Sequence, residues 1–304
     1  MIYTITLNPS IDYVMFTDGF EAGALNRANT TYKFAGGKGI NVSRVLKSLN
    51  TESTVLGFLG GFPGQFIEDK LKASDIQVDC VQVESDTRIN VKLKGESETE
   101  INAPGPDINE AHIEQLMNKL KTLTSDDTVV IAGSIPSSMP TDIYAQIAEL
   151  CHDKQIKFVV DAEKALLNSV LNYNPLFIKP NIVELEEMFN TTLSTDKAIY
   201  EAAKQLLHKG AQMVFVSMGG DGAMLVTEDR CFKATVPKGQ VVNTVGSGDS
   251  TVAGMVAGLT NGLLLESAFK QAIACGTATA FTEDLATIEE IQEIINQIQI
   301  EQLY

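Results

Sequence analysis

The chain has 304 residues, 44% of them hydrophobic and 20% charged, the composition of an ordinary globular protein long enough to bury a substantial core. Its 23 lysines and arginines stand against 39 aspartates and glutamates, a formal charge of −16. Such a surface excludes a nucleic-acid partner, which needs a basic stripe, and any anionic substrate must be met by local donors and a few cations.

Residues 1–7 (MIYTITL) predict a first buried strand rather than a signal peptide, because they lack a basic flank and run straight into Asn8-Pro9-Ser10. No apolar run approaches the roughly 20 residues of a spanning helix, so the expectation is a cytoplasmic protein with no membrane partner. Residues 11–17 (IDYVMFT) read as a second strand. In 38–49, Val42, Val45, Leu46 and Leu49 fall on one helical face. A strand is expected at 54–59. Residues 87–102 (TRINVKLKGESETEIN) read as two strands with no helix between them. There Ile89, Val91 and Leu93 alternate with Asn90, Lys92 and Lys94, as in a half-exposed antiparallel strand, and Gly95-Glu96-Ser97 supplies a turn. That apolar face is expected to cover the site or another subunit. Further strands are predicted at 128–132, 156–161, 176–179 and 213–217, a hairpin at the far sheet edge over 221–236, and helices at 249–261, 266–282 and 287–299.

Apolar strands separated by helices imply an α/β fold, with a mainly parallel sheet covered on both faces. With no internal repeat or long linker, the expectation is one domain over 1–304, with a small β-sheet lid formed by about 11–34 and 86–103. Cys80, Cys151, Cys231 and Cys275 have no paired spacing and read as buried free thiols, which fits a reducing cytosol.

Five short motifs carry candidate chemistry. Leu7-Asn8-Pro9-Ser10-Ile11-Asp12 ends the first strand; Asp12 could accept hydrogen bonds from sugar hydroxyls, although alone the segment is a turn. Ala35-Gly36-Gly37-Lys38-Gly39-Ile40-Asn41 opens a helix, permits close backbone approach and supplies a cation, without the spacing of a Walker A loop. Lys179-Pro180-Asn181-Ile182-Val183-Glu184 reads as a capping box, or alternatively as Glu184 directed at magnesium, directly or through water. Ser217-Met218-Gly219-Gly220-Asp221-Gly222 follows a strand where α/β proteins bind nucleotides, or is a hairpin turn. Thr244-Val245-Gly246-Ser247-Gly248-Asp249 precedes a helix. Its N–H groups and dipole suit phosphate, and Asp249 is either an N-cap or a base beside an anion hole.

Taken together in this order and spacing, GGKGIN at 36–41, KPNIVE at 179–184, SMGGDG at 217–222 and VGSGDS at 245–250 resemble the ribokinase-like superfamily, specifically its PfkB branch of sugar-phosphate kinases. LNPSID at 7–12 and TRINVKL at 87–93 narrow the resemblance to members acting on ketose phosphates. It implies a three-layer α/β/α fold and ATP-dependent phosphorylation of fructose 1-phosphate at C6, with tagatose 6-phosphate or fructose 6-phosphate as alternative acceptors. By the same resemblance Asp249 is the base and Gly246, Ser247 and Gly248 form the anion hole. Lys179, Asn181, Ser217, Met218, Gly219, Gly220, Asp221, Gly222 and Gly248 would bind ATP, and Glu184 would meet Mg2+ through water. Asp12, Gly37, Lys38, Asn41, Arg88, Ser134 and Arg27 would bind the sugar phosphate. A homodimer through the lid is also implied. Ser247 stands where the family usually has alanine.

Overall fold

The computed structural model describes residues 1–95 and 98–304, the side chain of Lys164 excepted; of the turn expected at Gly95-Glu96-Ser97, Glu96 and Ser97 lie outside the described residues. In chain order the first half runs β1 (Ile2–Thr6), β2 (Ser10–Phe16), β3 (Thr30–Gly36), α1 (Lys38–Ser48), β4 (Ser53–Gly60), α2 (Gly61–Ala73), β5 (Gln77–Val78), β6 (Val81–Val83), β7 (Arg88–Lys94), β8 (Glu98–Ile101), α3 (Glu110–Lys121), β9 (Thr128–Ala132), α4 (Ile143–Asp153) and β10 (Lys157–Asp161). The second half runs α5 (Lys164–Val170), β11 (Phe177–Ile178), α6 (Ile182–Phe189), α7 (Asp196–His208), β12 (Val214–Ser217), β13 (Ala223–Val226), β14 (Cys231–Ala234), α8 (Ser247–Thr260), α9 (Leu265–Ala280), α10 (Ile288–Ile295) and β15 (Ile300–Gln302).

Eleven strands form the main sheet in the order β15-β14-β13-β12-β11-β10-β9-β1-β4-β5, with β6 also on β4. Pairings from β12 through β5 are parallel, and β13, β14 and β15 close one edge antiparallel. Alternation along each strand divides the core in two. Val129 and Ile131 pack with α3, α4 and α7, whereas Val130 and Ala132 pack with α1, α8 and α9. That is a three-layer α/β/α arrangement. On α1, Val42, Val45 and Leu46 are fully buried. Each such burial is worth roughly 1.5–3 kcal/mol, which outweighs the few tenths of a kcal/mol, roughly, forgone because N-cap Gly37 makes no side-chain cap.

The second sheet has four strands in the order β3-β2-β7-β8. β2 pairs antiparallel with β3 but parallel with β7, and only β7 with β8 gives the antiparallel partner expected of 87–102. Of the two expectations for the apolar face of 89–93, the structure excludes the one that has it cover the site. Asn90 and Lys92 are 6% and 8% exposed and turn inward, while Ile89 is 36% exposed on the outer face with half-buried Val91 and Leu93. Alternation separates the two faces of a strand without saying which faces the body. Here the inner face must hydrogen-bond.

The chain end also differs from expectation. The last helix stops at Ile295 instead of residue 299, and β15 pairs with β14, so the 221–236 hairpin lies one strand in from the edge. A three-residue strand carries too little period to be read. The four cysteines are free; Cys151, Cys231 and Cys275 are buried and Cys80 is half-buried. No helix among the described residues is long and apolar enough to cross a membrane.

Candidate active site

A cavity of about 600 Å³ opens at the carboxyl edge of the parallel strands. Segments following β1, β9, β10, β11 and β12 form its floor with the starts of α1, α6 and α8, and residues of the smaller sheet roof it. This is where open α/β sheets bind ligands.

Asp249 is not an N-cap. Gly246 takes that position at φ 81°, and Asp249 is the third residue of α8. A side chain at 246 would be strained by that φ, and its Cβ would lie 2.5 Å from Leu285 Cδ2. Freed from capping, the Asp249 carboxylate accepts a hydrogen bond from Asn41 Nδ2 at 2.8 Å. It is 5% exposed. Burial and the nearby Asp161 charge push it up to about 6 against the opposing effects of Lys38, Asn41 and Lys179. A carboxylate ionised at neutral pH yet so raised suits proton acceptance. The N–H groups of the first helical turn have no intrahelical acceptors and point along the positive end of the helix dipole.

Behind Asp249 lies a buried group that the motifs do not reveal. Asp161, closing β10, is 3% exposed and sits between Lys179 Nζ at 3.3 Å and Lys38 Nζ at 3.5 Å. Burial alone would raise its pKa, but Lys179 and Lys38 outweigh that and hold it below the ordinary carboxylate range. Asp161 in turn raises Lys38. Two cations thus share one buried anion at the cavity floor. A single acid closing the apolar run FVV at a strand's carboxyl end was the available signal.

Asn181 and Glu184 line the cavity and also form the capping box. The Asn181 side chain accepts from Glu184 N–H, and Glu184 Oε2 accepts from Asn181 N–H, both at 2.8 Å. One Glu184 oxygen is thereby engaged. Among the described residues no group of three or more His, Cys, Asp or Glu side chains could hold a metal ion. The set does not form an all-protein cage, but it fits a hydrated magnesium ion carried on substrate phosphates, the usual mode for that ion.

The roof supplies Asp12, Arg88, Asn90, Lys92 and Glu100. Asp12 accepts from Ser10 Oγ at 2.8 Å and from Asn90 Nδ2 at 3.2 Å, and Lys92 Nζ lies 3.6 Å from it and 3.5 Å from Glu100. Arg88 donates to the carbonyls of Ala103 and Asn8, each at 3.0 Å. Gly37, Lys38, Ser134, Lys179, Ser217, Gly246 and Gly248 also line the cavity. Ser247 does not, although it lies in the same first turn; its Oγ is buried with no partner among the described residues. Met218, Gly219, Gly220, Asp221 and Gly222 form the turn after β12 and stay outside the lining, because Met218 N–H bonds to Gly222 O and folds the loop on itself. Arg27 is exposed on the segment between β2 and β3, away from this cavity. Asn90, Lys92, Glu100 and Asp161 are among the lining residues sequence reasoning missed, with Asn8, Ser10, Asn102 and Glu163.

Parallel-sheet architecture, paired lysines and a buried carboxylate at a glycine-started helix define a phosphotransferase of the ribokinase-like class. The pfkB family carbohydrate kinase model matches residues 3–291, and the chain belongs to that family. The chain is 44% identical over 303 residues to a 1-phosphofructokinase of Bacillus subtilis, covering 100% of both chains. It is 36% identical to a tagatose-6-phosphate kinase of Staphylococcus epidermidis, covering 99% of each. A crystal structure from Staphylococcus aureus, provisionally assigned as a phosphofructokinase, superimposes with a TM-score of 0.92 at 61% identity, over 100% of this chain and 99% of that one.

Proposed function

We propose that the protein transfers the γ-phosphoryl group of ATP to the C6 hydroxyl of fructose 1-phosphate, giving fructose 1,6-bisphosphate and ADP. The observation that carries the reading is the buried Asp249 carboxylate, held by Asn41 at the start of α8 with a pKa of about 6. The acceptor follows from the 44% full-length identity to a 1-phosphofructokinase.

In the proposed step Asp249 takes the hydroxyl proton as the O6–phosphorus bond forms and the bond from phosphorus to the ADP oxygen breaks. Main-chain N–H groups at 246–249 meet the charge on the transferring oxygens, the largest single contribution in most phosphoryl transfers. Lys38 and Lys179 sit beside that position, and the Asp161 carboxylate between them holds both there against their mutual repulsion. Magnesium, met through water by Glu184 beside Asn181, would offset negative charge on the nucleotide phosphates. Asp12, Asn41 and Asn90 would orient the sugar, and Arg88 would meet the phosphate it already carries. The smaller sheet acts as a lid that excludes water, which otherwise competes as acceptor.

ADP release with fructose 1-phosphate, tagatose 6-phosphate and fructose 6-phosphate tests the reading. The expected order puts fructose 1-phosphate first in kcat/KM; a higher value for either 6-phosphate replaces it. The relation to a tagatose-6-phosphate kinase makes that sugar the second reading. The outer lid face, where Tyr13 and Met15 register against Val91 and Leu93, supports a homodimer, checked by light scattering at micromolar concentration. A cytoplasmic location fits an ATP-consuming step of sugar metabolism.

A further inference from the structure

Four lengths of chain join the smaller sheet to the body: 7–9 into β2, 37 out of β3, 84–87 into β7 and 102–109 out of β8. Arg88 opens β7 at the end of the third. One terminal nitrogen of its guanidinium donates to the carbonyl of Asn8, on the first connection, and the other to the carbonyl of Ala103, on the fourth. One side chain therefore ties three of the four connections together. Neighbouring bonds run the same way: Asn8 Nδ2 donates to Pro104 O and Ala103 N–H to Asn90 Oδ1, both at 3.2 Å. The same guanidinium lines the cavity, and its Nε is buried with no hydrogen-bond partner among the described residues. A guanidinium carries five N–H groups in a rigid planar fork, so two carbonyl bonds leave donors for an anion on the cavity side.

We propose that Arg88 is a positioning residue as well as a phosphate contact: the acceptor's phosphate, by fixing the guanidinium plane, fixes the connections that set the lid over the transfer site. The inference rests on the reading of this cavity as a ketose-phosphate site. Any rotation of the smaller sheet must change the distances from Arg88 to Asn8 O and Ala103 O, because both carbonyls belong to segments that carry the rotation. A dianion held bidentately on the remaining edge resists turning of the fork, and so resists that rotation. Part of the phosphate's binding energy then shows in kcat, through the lid, and not in affinity alone. A phosphate contact without the hinge predicts that loss of Arg88 raises KM and leaves kcat alone.

The test supplies the acceptor in two pieces. Wild-type protein is given Mg-ATP and saturating unphosphorylated fructose, with and without phosphite dianion, and ADP release is followed. Phosphite is expected to raise fructose turnover by at least about tenfold, the signature of remote binding energy used for closure. Arg88→Ala and Arg88→Lys are expected to abolish that activation. Lysine keeps the charge but not the fork, so Arg88→Lys should bind fructose 1-phosphate with a modestly raised KM and still show a depressed kcat. Fructose turnover unchanged by phosphite overturns the proposal, as does a wild-type kcat for Arg88→Lys with fructose 1-phosphate. Wild-type turnover of fructose 1-phosphate separates the two readings. Its absence overturns the substrate assignment and the hinge with it; its presence with no phosphite effect overturns the hinge alone.

Discussion

Floor and roof of the cavity are built in opposite ways. The floor is main chain at helix starts, with Asp249, Lys38 and Lys179 brought close around Asp161. The roof is a sheet face whose polar side chains alternate along β2 and β7. Donors fixed by main chain suit a group present in every turnover, the transferring phosphoryl. Replaceable side chains suit the part that distinguishes one acceptor from another. Floor changes should therefore reduce kcat for all acceptors, and roof changes, Arg88 apart, should chiefly move KM for the sugar phosphate.

The largest expected effect is at the floor. Asp249→Ala should lower kcat by roughly 10²–10⁴ with little change in KM, the range for losing a positioned base; steady-state ADP release checks it, and near-normal kcat would remove Asp249 from the role. Next comes pH. With Asp249 at about 6, kcat/KM should fall about tenfold per unit below that pH, because the protonated acid cannot accept a proton. Asp161→Asn removes a charge that raises Asp249, so the acidic limb should move to lower pH; a limb that stays in place would show that Asp161 does not tune the base.

At the roof, Lys92→Met breaks the contacts to Asp12 and Glu100 and should raise KM for the sugar phosphate roughly tenfold, on the scale of one lost charged contact, with KM for ATP unchanged. A smaller effect is expected of Gly36→Ala, whose new Cβ would lie 2.6–2.9 Å from three atoms of the Asp12 carboxyl and must displace it; a few-fold rise in the same KM is the readout. The smallest effect is on stability. A folded-state pKa raised from 3.8 to about 6 costs stability when the group ionises, so that cost is absent near pH 4 and complete above about 6. Asp249→Asn should accordingly raise Tm by a few degrees at pH 7.5, at roughly 2–4 °C per kcal/mol for a chain of this size or somewhat less, and by little at pH 4.

What the sequence discloses follows the same division. Glycine-bearing loops before helices are legible because few residue types permit those turns, and Gly246, Lys38, Asn181 and Asp249 do meet at one cavity. Asp161 is not legible as a site residue, since its partners Lys38 and Lys179 are 123 and 18 positions away along the chain. Roof orientation stays open in the sequence for a different reason. A two-residue period assigns Asn90 and Lys92 to one face and Ile89, Val91 and Leu93 to the other, but burial preference alone favours turning the apolar set inward. The need to hydrogen-bond a polar ligand reverses that choice. The turn after β12 illustrates a third limit, because composition cannot tell a loop that reaches the cavity from one that bonds to itself.

The inside-out placement of β7 has a consequence for how variation is tolerated along it. Residues 88, 90 and 92 line the cavity, and the residues between answer to whatever meets the outer surface. A saturation scan of this strand would give a sawtooth of two distinct phenotypes. Substitutions at 88, 90 and 92 would lower kcat/KM for the sugar phosphate while leaving expression intact, and those at 89, 91 and 93 would change self-association or yield while sparing kcat/KM. Drift on the outer surface could then proceed through many sequences under one unchanging chemistry.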